Sequence, residues 1–377
     1  MKKFFSIYLI AALLAFAALP GCGGKEGPSV PPPPYQPGEP ENPQDPEDPE
    51  DPGEDPTPTT PPGAWEANRG KQVTPSGSGW TSKSLNGYPG ITFYSFSGTD
   101  PASGVKQCAY AVDLDLSNPN YAVKMTYSNP TLKTSEVHAN YLSIATINAG
   151  YEAGSIYIRV DDKEKSSLPN TVIGSTGVRN WKSEAGIFMD GERTISIDKA
   201  EELIRPYVSP DVSEMNAFIR KERNYYAAHT EKYVLSSSPL LIYDYNPVGE
   251  TFIDYTISNW TKLNTEEPQY HQRKRHPRTA VAITEFNHFI MIVVDGRQTG
   301  TGRYGMSAKE LTKFLVNNFN PQYALNLDGG GSTAMCVKGL PDASYVDESR
   351  KLVNSPIQDN KPANERARDT HIIIVEK

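Results

Sequence analysis

Cysteine is scarce in this 377-residue chain: Cys22, Cys108 and Cys336 are the only three. None of them forms a CxxC pair or a Cys/His ligand spacing, so nothing in the sequence suggests a zinc site. Long apolar runs are missing too. The stretch from Phe4 to Leu19 is shorter than the ~20 residues a membrane-spanning helix needs. A basic excess is also lacking: the formal net charge is −8, so no global field favours nucleic acid. The glycine-rich stretch Gly329-Gly330-Gly331 has no P-loop lysine, which disfavours nucleotide hydrolysis. Ser332 has no G-x-S-x-G frame, which disfavours a serine hydrolase. No internal repeat is visible.

Proline is plentiful and unevenly placed. Residues 28 to 62 hold 15 of the 32 prolines, and residues 39 to 55 hold nine Asp or Glu with no Lys or Arg. Such a segment cannot bury enough apolar surface to fold, and it stays extended by its prolines and self-repulsion. It also accounts for the acidity, since removing it leaves about +1 on everything else. Ahead of it, Lys2 and Lys3 precede the apolar run in the manner of a secretory signal. Leu19-Pro20-Gly21-Cys22 resembles a bacterial lipobox with an atypical Pro20, and cleavage before Cys22 would place a lipid on that thiol. An ordinary cleaved signal with an incidental Cys22 is the competing reading. The expected organisation is a lipoprotein signal peptide over 1–21, a Pro-rich acidic disordered tether over 22–63, and one folded domain over 64–377. Lipidation at Cys22 would anchor the protein to the membrane in a bacterial cell envelope, at a periplasmic or surface-exposed face.

The domain reads as α+β, a mixed β-sheet flanked by helices in a single large domain. Strand patterns fall at Ile91–Ser97, Cys108–Leu116, Tyr121–Tyr127, Ile144–Asn148, Ile156–Val160, Leu240–Tyr243, Thr279–Thr284, His288–Val294, Tyr323–Leu327, Ala334–Val337 and His371–Val375. Helix starts are expected at Ser135, Asp198, Ser209 and Ser307. Thr279–Thr284 and His288–Val294 read as a hairpin. A helical insertion is expected at about 194–233, and its Phe218, Tyr225, Tyr226 and Tyr233 either stack on a sugar or pack into the core. Cys108 and Cys336 both fall in expected strands, compatible with a disulfide or with two buried thiols.

The most informative segment is Ala324-Leu325-Asn326-Leu327-Asp328-Gly329-Gly330-Gly331-Ser332-Thr333, a short apolar strand running into a carboxylate, three glycines and two hydroxyls. Three glycines let backbone N–H groups converge on an anion or sugar oxygen, with Asp328 at the lip. A strand-helix-strand unit precedes it: His288–Val294 ends in Asp295-Gly296-Arg297, and Ser307-Ala308-Lys309-Glu310 has the form of a capping box. If the two strands run parallel in one sheet, Asp295 and Asp328 emerge at the same edge.

His276-Pro277-Arg278-Thr279-Ala280, Asp295-Gly296-Arg297, Asn326-Leu327-Asp328-Gly329-Gly330-Gly331-Ser332-Thr333, Val353-Asn354-Ser355-Pro356 and Glu365-Arg366, in that order, resemble the signature of the phosphodiester glycosidase family. Upstream, Gly90-Ile91-Thr92-Phe93-Tyr94, Val112-Asp113-Leu114, Ile147-Asn148-Ala149-Gly150-Tyr151 and Ser238-Pro239-Leu240-Leu241 fit as well, so the resemblance covers about residues 80 to 377. Glu152 departs from it, standing where the family usually has a second aromatic.

The resemblance implies a hydrolase acting on a glycosyl phosphodiester of the N-acetylglucosamine-1-phosphodiester type. Asp328 and Asp295 are the expected catalytic carboxylates. For each, a bracing role within its own turn is the alternative. Arg278 and Arg297 offer planar forks to phosphate, with structural ion pairs as the alternative. Asn148, Asn326 and Asn354 are candidates for sugar hydroxyls or, equally, for turn formation. His276, Thr279, Gly329, Gly330, Gly331 and Ser332 complete the candidate binding set. The sequence requires no cofactor and leaves a divalent cation held by the aspartates open. Expected partners are a glycan or sugar phosphate and, through the lipid, a membrane; no nucleic acid is expected. A non-catalytic surface glycan-binding lipoprotein is the alternative from another class, and a phosphodiesterase acting on lipid or teichoic-type polymers shares the site but breaks a different bond.

Overall fold

Alternation along the strands separates the interior into two apolar layers. In Arg278–Ile283, Val281 joins one core with Phe289, Met291 and Val293 of its hairpin partner, while Ala280 and Ala282 face the other way with Ile290 and Ile292. The small alanines let the helix Ala308–Asn318 lie close, so Leu311, Phe314 and Leu315 are fully buried on that face. The computed structural model describes residues 66–169, 181–199, 212–264 and 266–377. The expected signal peptide, tether, Cys22 and the helix start at Ser209 lie outside them.

The described chain is α+β. An eight-stranded sheet runs Trp80–Ser84, Ile91–Thr99, Lys106–Asp115, His288–Val294, Arg278–Ile283, Tyr323–Asn326, Leu240–Tyr243, Asn246–Pro247. A four-stranded sheet runs Met335–Val337, Ala145–Asn148, Arg368–Glu376, Tyr121–Leu132, and a five-stranded one runs Lys163–Ser166, Ile158–Val160, Tyr233–Ser237, Ala185–Met189, Ile195–Asp198. Side chains from all three share one core, including Val112, Ile147, Ile187, Leu235 and Ile372. His288–Val294 and Tyr323–Asn326 do run parallel, but as second neighbours, because Arg278–Ile283 lies between them and pairs antiparallel with both. Every ladder between the named strands is antiparallel. A hairpin return is short enough to slip between the two strands that the helix connects.

Asp198 ends the strand Ile195–Asp198, and the residues that a helix starting there would occupy, from 200 on, lie outside the described ones. Further on, Val212–Ala228 is helical. Its aromatics are core: Tyr226 is fully buried, stacks on Tyr157 at 5.8 Å and donates to Ser183 O at 2.9 Å, and Tyr225 and Phe218 pack against buried clusters. Tyr233 is buried too. A sugar platform there is corrected to packing. Cys108 and Cys336 are both buried free thiols, not a disulfide.

The first described residues are clamped to the sheet. Arg69 Nη1 donates to Asp244 Oδ1 at 2.9 Å, Gly70 N donates to Glu285 Oε2 at 2.9 Å, and Asn320 Nδ2 donates to the carbonyls of Asn68 and Lys71 at 2.8 and 2.7 Å. Glu285 follows the end of Arg278–Ile283 and Asn320 precedes Tyr323–Asn326.

Candidate active site

Strand direction assembles the site. His288–Val294 and Tyr323–Asn326 end, and Arg278–Ile283 begins, at one edge of the eight-stranded sheet. In the four-stranded sheet Ala145–Asn148 ends where Arg368–Glu376 begins. Two bonds join these edges: Asp328 N donates to Ala149 O at 2.9 Å, and Asn148 Nδ2 donates to Asp328 O at 2.7 Å.

The glycine loop has no room for side chains. A Cβ on Gly329 would stand 2.6 Å from Pro277 O, one on Gly331 would stand 2.3 Å from Gln358 Oε1, and Gly330 holds φ +60°. Its amides are less open than the sequence suggests, because Gly330 N donates to Pro277 O at 2.9 Å and Ser332 N and Thr333 N close the turn. Guanidinium groups take over the cradle. Arg297 Nη2 lies 3.4 Å from the Cβ position of Gly330, and Arg366 Nη2 lies 3.1 Å from that of Gly331. Arg366 Nε donates to Gln358 Oε1 at 2.7 Å, which fixes its plane. Arg297 Nη2 lies 3.1 Å from His276 Nδ1. Burial, reinforced by Arg297 and Arg278, drives the His276 pKa well below its ordinary value. The ring is therefore neutral, and its Nδ1 lone pair accepts from Arg297.

Asp328 faces this cradle. Arg368 Nε lies 3.1 Å from Asp328 Oδ2, a charge contact without hydrogen-bond alignment, so that buried oxygen keeps an unfilled hydrogen-bonding capacity. Burial raises the Asp328 pKa, and Arg368, Ser332 and Arg366 pull it back. Ser332 Oγ is fully buried beside it and outside good hydrogen-bond geometry. A shielded carboxylate with spare acceptor capacity suits a nucleophile or base.

The other expected site residues divide sharply. Asp295 is fully buried with both oxygens engaged: Asn354 Nδ2 donates at 2.9 Å, Ser355 N at 3.0 Å and Arg303 Nε at 3.1 Å. So held, it fits the bracing role that the sequence left open as the alternative to a reacting group. Burial pushes its pKa up, and those donors oppose the shift. Asn148 Oδ1 accepts from Thr279 Oγ1 at 2.9 Å and from Ala334 N at 3.1 Å. Asn326 Nδ2 donates to Ser238 O at 2.9 Å and to Leu327 O at 2.7 Å. Asn354 Oδ1 accepts from Met335 N at 2.8 Å. These three asparagines and Thr279 are fully buried, so they hold the loops rather than sugar hydroxyls. Arg278 is also a brace. Its Nε donates to Met306 O and its Nη2 to His271 O and Lys274 O, at 2.7 to 2.9 Å. Burial takes its pKa down to about 10, and Nη1 alone lacks a partner among the described residues.

Sequence reasoning missed the rim. Arg368 and Lys182 carry no site role in the sequence reading, and Arg366, like the buried Tyr151, enters it only as part of a motif. Their signal was the Arg366-x-Arg368 spacing at the entry of an otherwise apolar strand, which sends both side chains the same way. Glu365 fixes that entry, accepting from Ser135 N at 2.9 Å, Ser135 Oγ at 2.7 Å and Arg350 Nη1 at 3.0 Å.

Residues 144–375 match the family model described as phosphodiester glycosidase. The chain belongs to the phosphodiester glycosidase family. Among solved structures, the catalytic domain of zebrafish N-acetylglucosamine-1-phosphodiester alpha-N-acetylglucosaminidase, auto-inhibited by its pro-peptide, is similar at 17% identity and a TM-score of 0.48, covering 82% of this chain and 97% of that one. A hypothetical protein from Synechocystis is similar at 14% identity and a TM-score of 0.47, covering 79% and 64%. No curated protein matches by sequence.

Among the described residues, no three His, Cys, Asp or Glu side chains converge as metal ligands. Asp295 is engaged by its donors, and Asp328 has Arg368 beside its Oδ2.

Proposed function

We propose that this protein is a lipid-anchored hydrolase of a bacterial envelope, held by a lipid on Cys22, that cleaves a glycosyl phosphodiester of the N-acetylglucosamine-1-phosphodiester type. One observation carries the reading: the shielded Asp328 carboxylate, with Arg368 beside its Oδ2, belongs to a side-chain-free loop that Arg297 and Arg366 flank. Family membership supports the reaction class.

The arginines bind the phosphodiester oxygens and offset the charge that grows as the bond to phosphate lengthens. That leaving group is already a weak base, so protonation of the departing oxygen matters little. Asp328 then serves the anomeric carbon, as nucleophile or as base toward water, held by its backbone bonds to Ala149 and Asn148 while the charge of Arg368 lies beside its Oδ2. His276 acts through Arg297 by keeping its fork aimed at the loop.

Turnover of a panel of glycosyl phosphodiesters tests the reading, and hydrolysis in heavy-oxygen water identifies the bond. The label is expected at C1 of the released sugar. Label in the phosphate would move the chemistry to phosphorus, and saturable binding without product would make the protein a glycan binder.

Two arginine-to-lysine changes separate binding from bracing. Arg366→Lys is expected to lower kcat/KM on phosphodiesters about 10- to 100-fold with an unchanged melting temperature, because a point charge cannot replace the fork. Arg278→Lys is expected to lower the melting temperature by several degrees, since a lysine cannot reach Met306 O, His271 O and Lys274 O together. The same thermal loss in both variants would erase the distinction.

A further inference from the structure

We propose that Glu152 selects the charge state of the bound phosphate, admitting a monoanionic diester and disfavouring a dianionic monoester. The inference rests on the reading of this cleft as a phosphodiester site. Glu152 leaves the strand Ala145–Asn148 just after Tyr151, and its side chain is 54% exposed at the rim. Its Oε1 lies 2.7 Å from Lys182 Nζ and its Oε2 lies 3.9 Å from Arg368 Nη2, the arginine whose Nε contacts Asp328. Lys182 is itself only 10% exposed and meets Glu266 Oε2 at 2.7 Å on its other side. Glu152 therefore shares the charge of Lys182 with Glu266, and it places a negative charge next to Arg368, the arginine that contacts the reacting carboxylate. Burial raises its pKa, but Lys182 and Arg368 outweigh that and take it below the ordinary value, so it is ionised at neutral pH.

A fixed charge acts on a ligand in proportion to the ligand's own charge. Glu152 thus penalises a phosphomonoester, near −2 at pH 7, about twice as strongly as a diester at −1. The reaction itself makes that change. Water and the diester give a free hydroxyl, a phosphomonoester and a proton, whether the C–O or the P–O bond breaks. The substrate enters as the less penalised ion and the product leaves as the more penalised one, so Glu152 limits product inhibition.

The test is calorimetric titration of the full chain and its Glu152→Gln variant with inorganic phosphate and with diethyl phosphate. The amide oxygen of Gln still accepts from Lys182, and the position is exposed, so the fold is retained. At about pH 8, where phosphate is mainly dianionic, the variant is expected to bind phosphate about 10-fold tighter and diethyl phosphate about 3-fold tighter. At about pH 6, where phosphate is mainly monoanionic, the two gains should converge. Equal gains at pH 8, a difference that persists at pH 6, or no binding of either ion would overturn the proposal. Turnover is scored separately on the wild type. A protein that hydrolyses diesters without this selectivity retires the inference alone, and one that discriminates by charge without hydrolysing retires the enzymatic reading alone.

Discussion

Replacing Asp328 with Asn is expected to lower kcat by about 100-fold or more while leaving the melting temperature near that of the wild type. The change keeps the size of the side chain and both backbone links that position the residue, Asp328 N to Ala149 O and Asn148 Nδ2 to Asp328 O. It removes only the charge that faces Arg368 and the capacity to attack or take a proton. Stability should even rise slightly, because burial already raises the pKa of this carboxyl and the ionised form is the disfavoured one. Steady-state kinetics and thermal melting on the same sample decide the matter. A variant that melts early yet turns over normally when folded would assign Asp328 to bracing, as Asp295 is assigned here.

Acid is expected to destabilise the fold steeply below about pH 6.5. Burial takes the pKa values of His138 and His371 down to about 3, and those of His271 and His276 well below the ordinary 6.5. Each is neutral in the folded state and takes a proton once unfolded. Their contribution is therefore intact above 6.5 and is lost progressively as pH falls toward the folded values, at about 1.4 kcal/mol per pH unit for each histidine. Asp295 and Asp328 work in the other direction, since their raised folded pKa values add stability as they protonate on the way down to 3.8. Four histidines against two carboxyls leave a net loss on acidification. Denaturant midpoints between pH 7.5 and 5 measure it, and His371→Leu should flatten the slope by about one proton, because both ring nitrogens of His371 are buried without partners among the described residues. A flat profile for the wild type would contradict the burial of these rings.

Much of the framework was legible because it rests on local pattern. The Ser307/Glu310 capping box forms as written, with Glu310 N donating to Ser307 Oγ at 3.2 Å and Ser307 N donating to Glu310 Oε2 at 2.9 Å. The hairpin pairs in register from Arg278↔Val294 to Ile283↔Phe289. The five-stranded sheet was harder to read. Ala185–Met189 is an unalternating buried run, and Ile195–Asp198 and Tyr233–Ser237 flank the helix Val212–Ala228, whose periodicity dominated that stretch. Within the site, the loop and Asp328 were readable from glycine spacing, whereas the roles of Asp295 and Asp328 were not separable. Both follow a strand and precede a glycine. What distinguishes them is the Asn354-Ser355 turn, some 60 residues further along the chain, which closes over one carboxylate and leaves the other facing Arg368. Closure of that kind is set by a turn distant in the chain and leaves no periodic trace.

The clamp of Asn68, Arg69, Gly70 and Lys71 sits on Asp244, Glu285 and Asn320, at the strand ends opposite those that carry Arg278 and Asp328. A pull applied through residues ahead of 66 therefore enters the domain at its base, away from the cleft. The domain is tied at one end of these strands and carries its site at the other, so a load or a bulky group placed ahead of residue 66 acts at the end remote from Asp328.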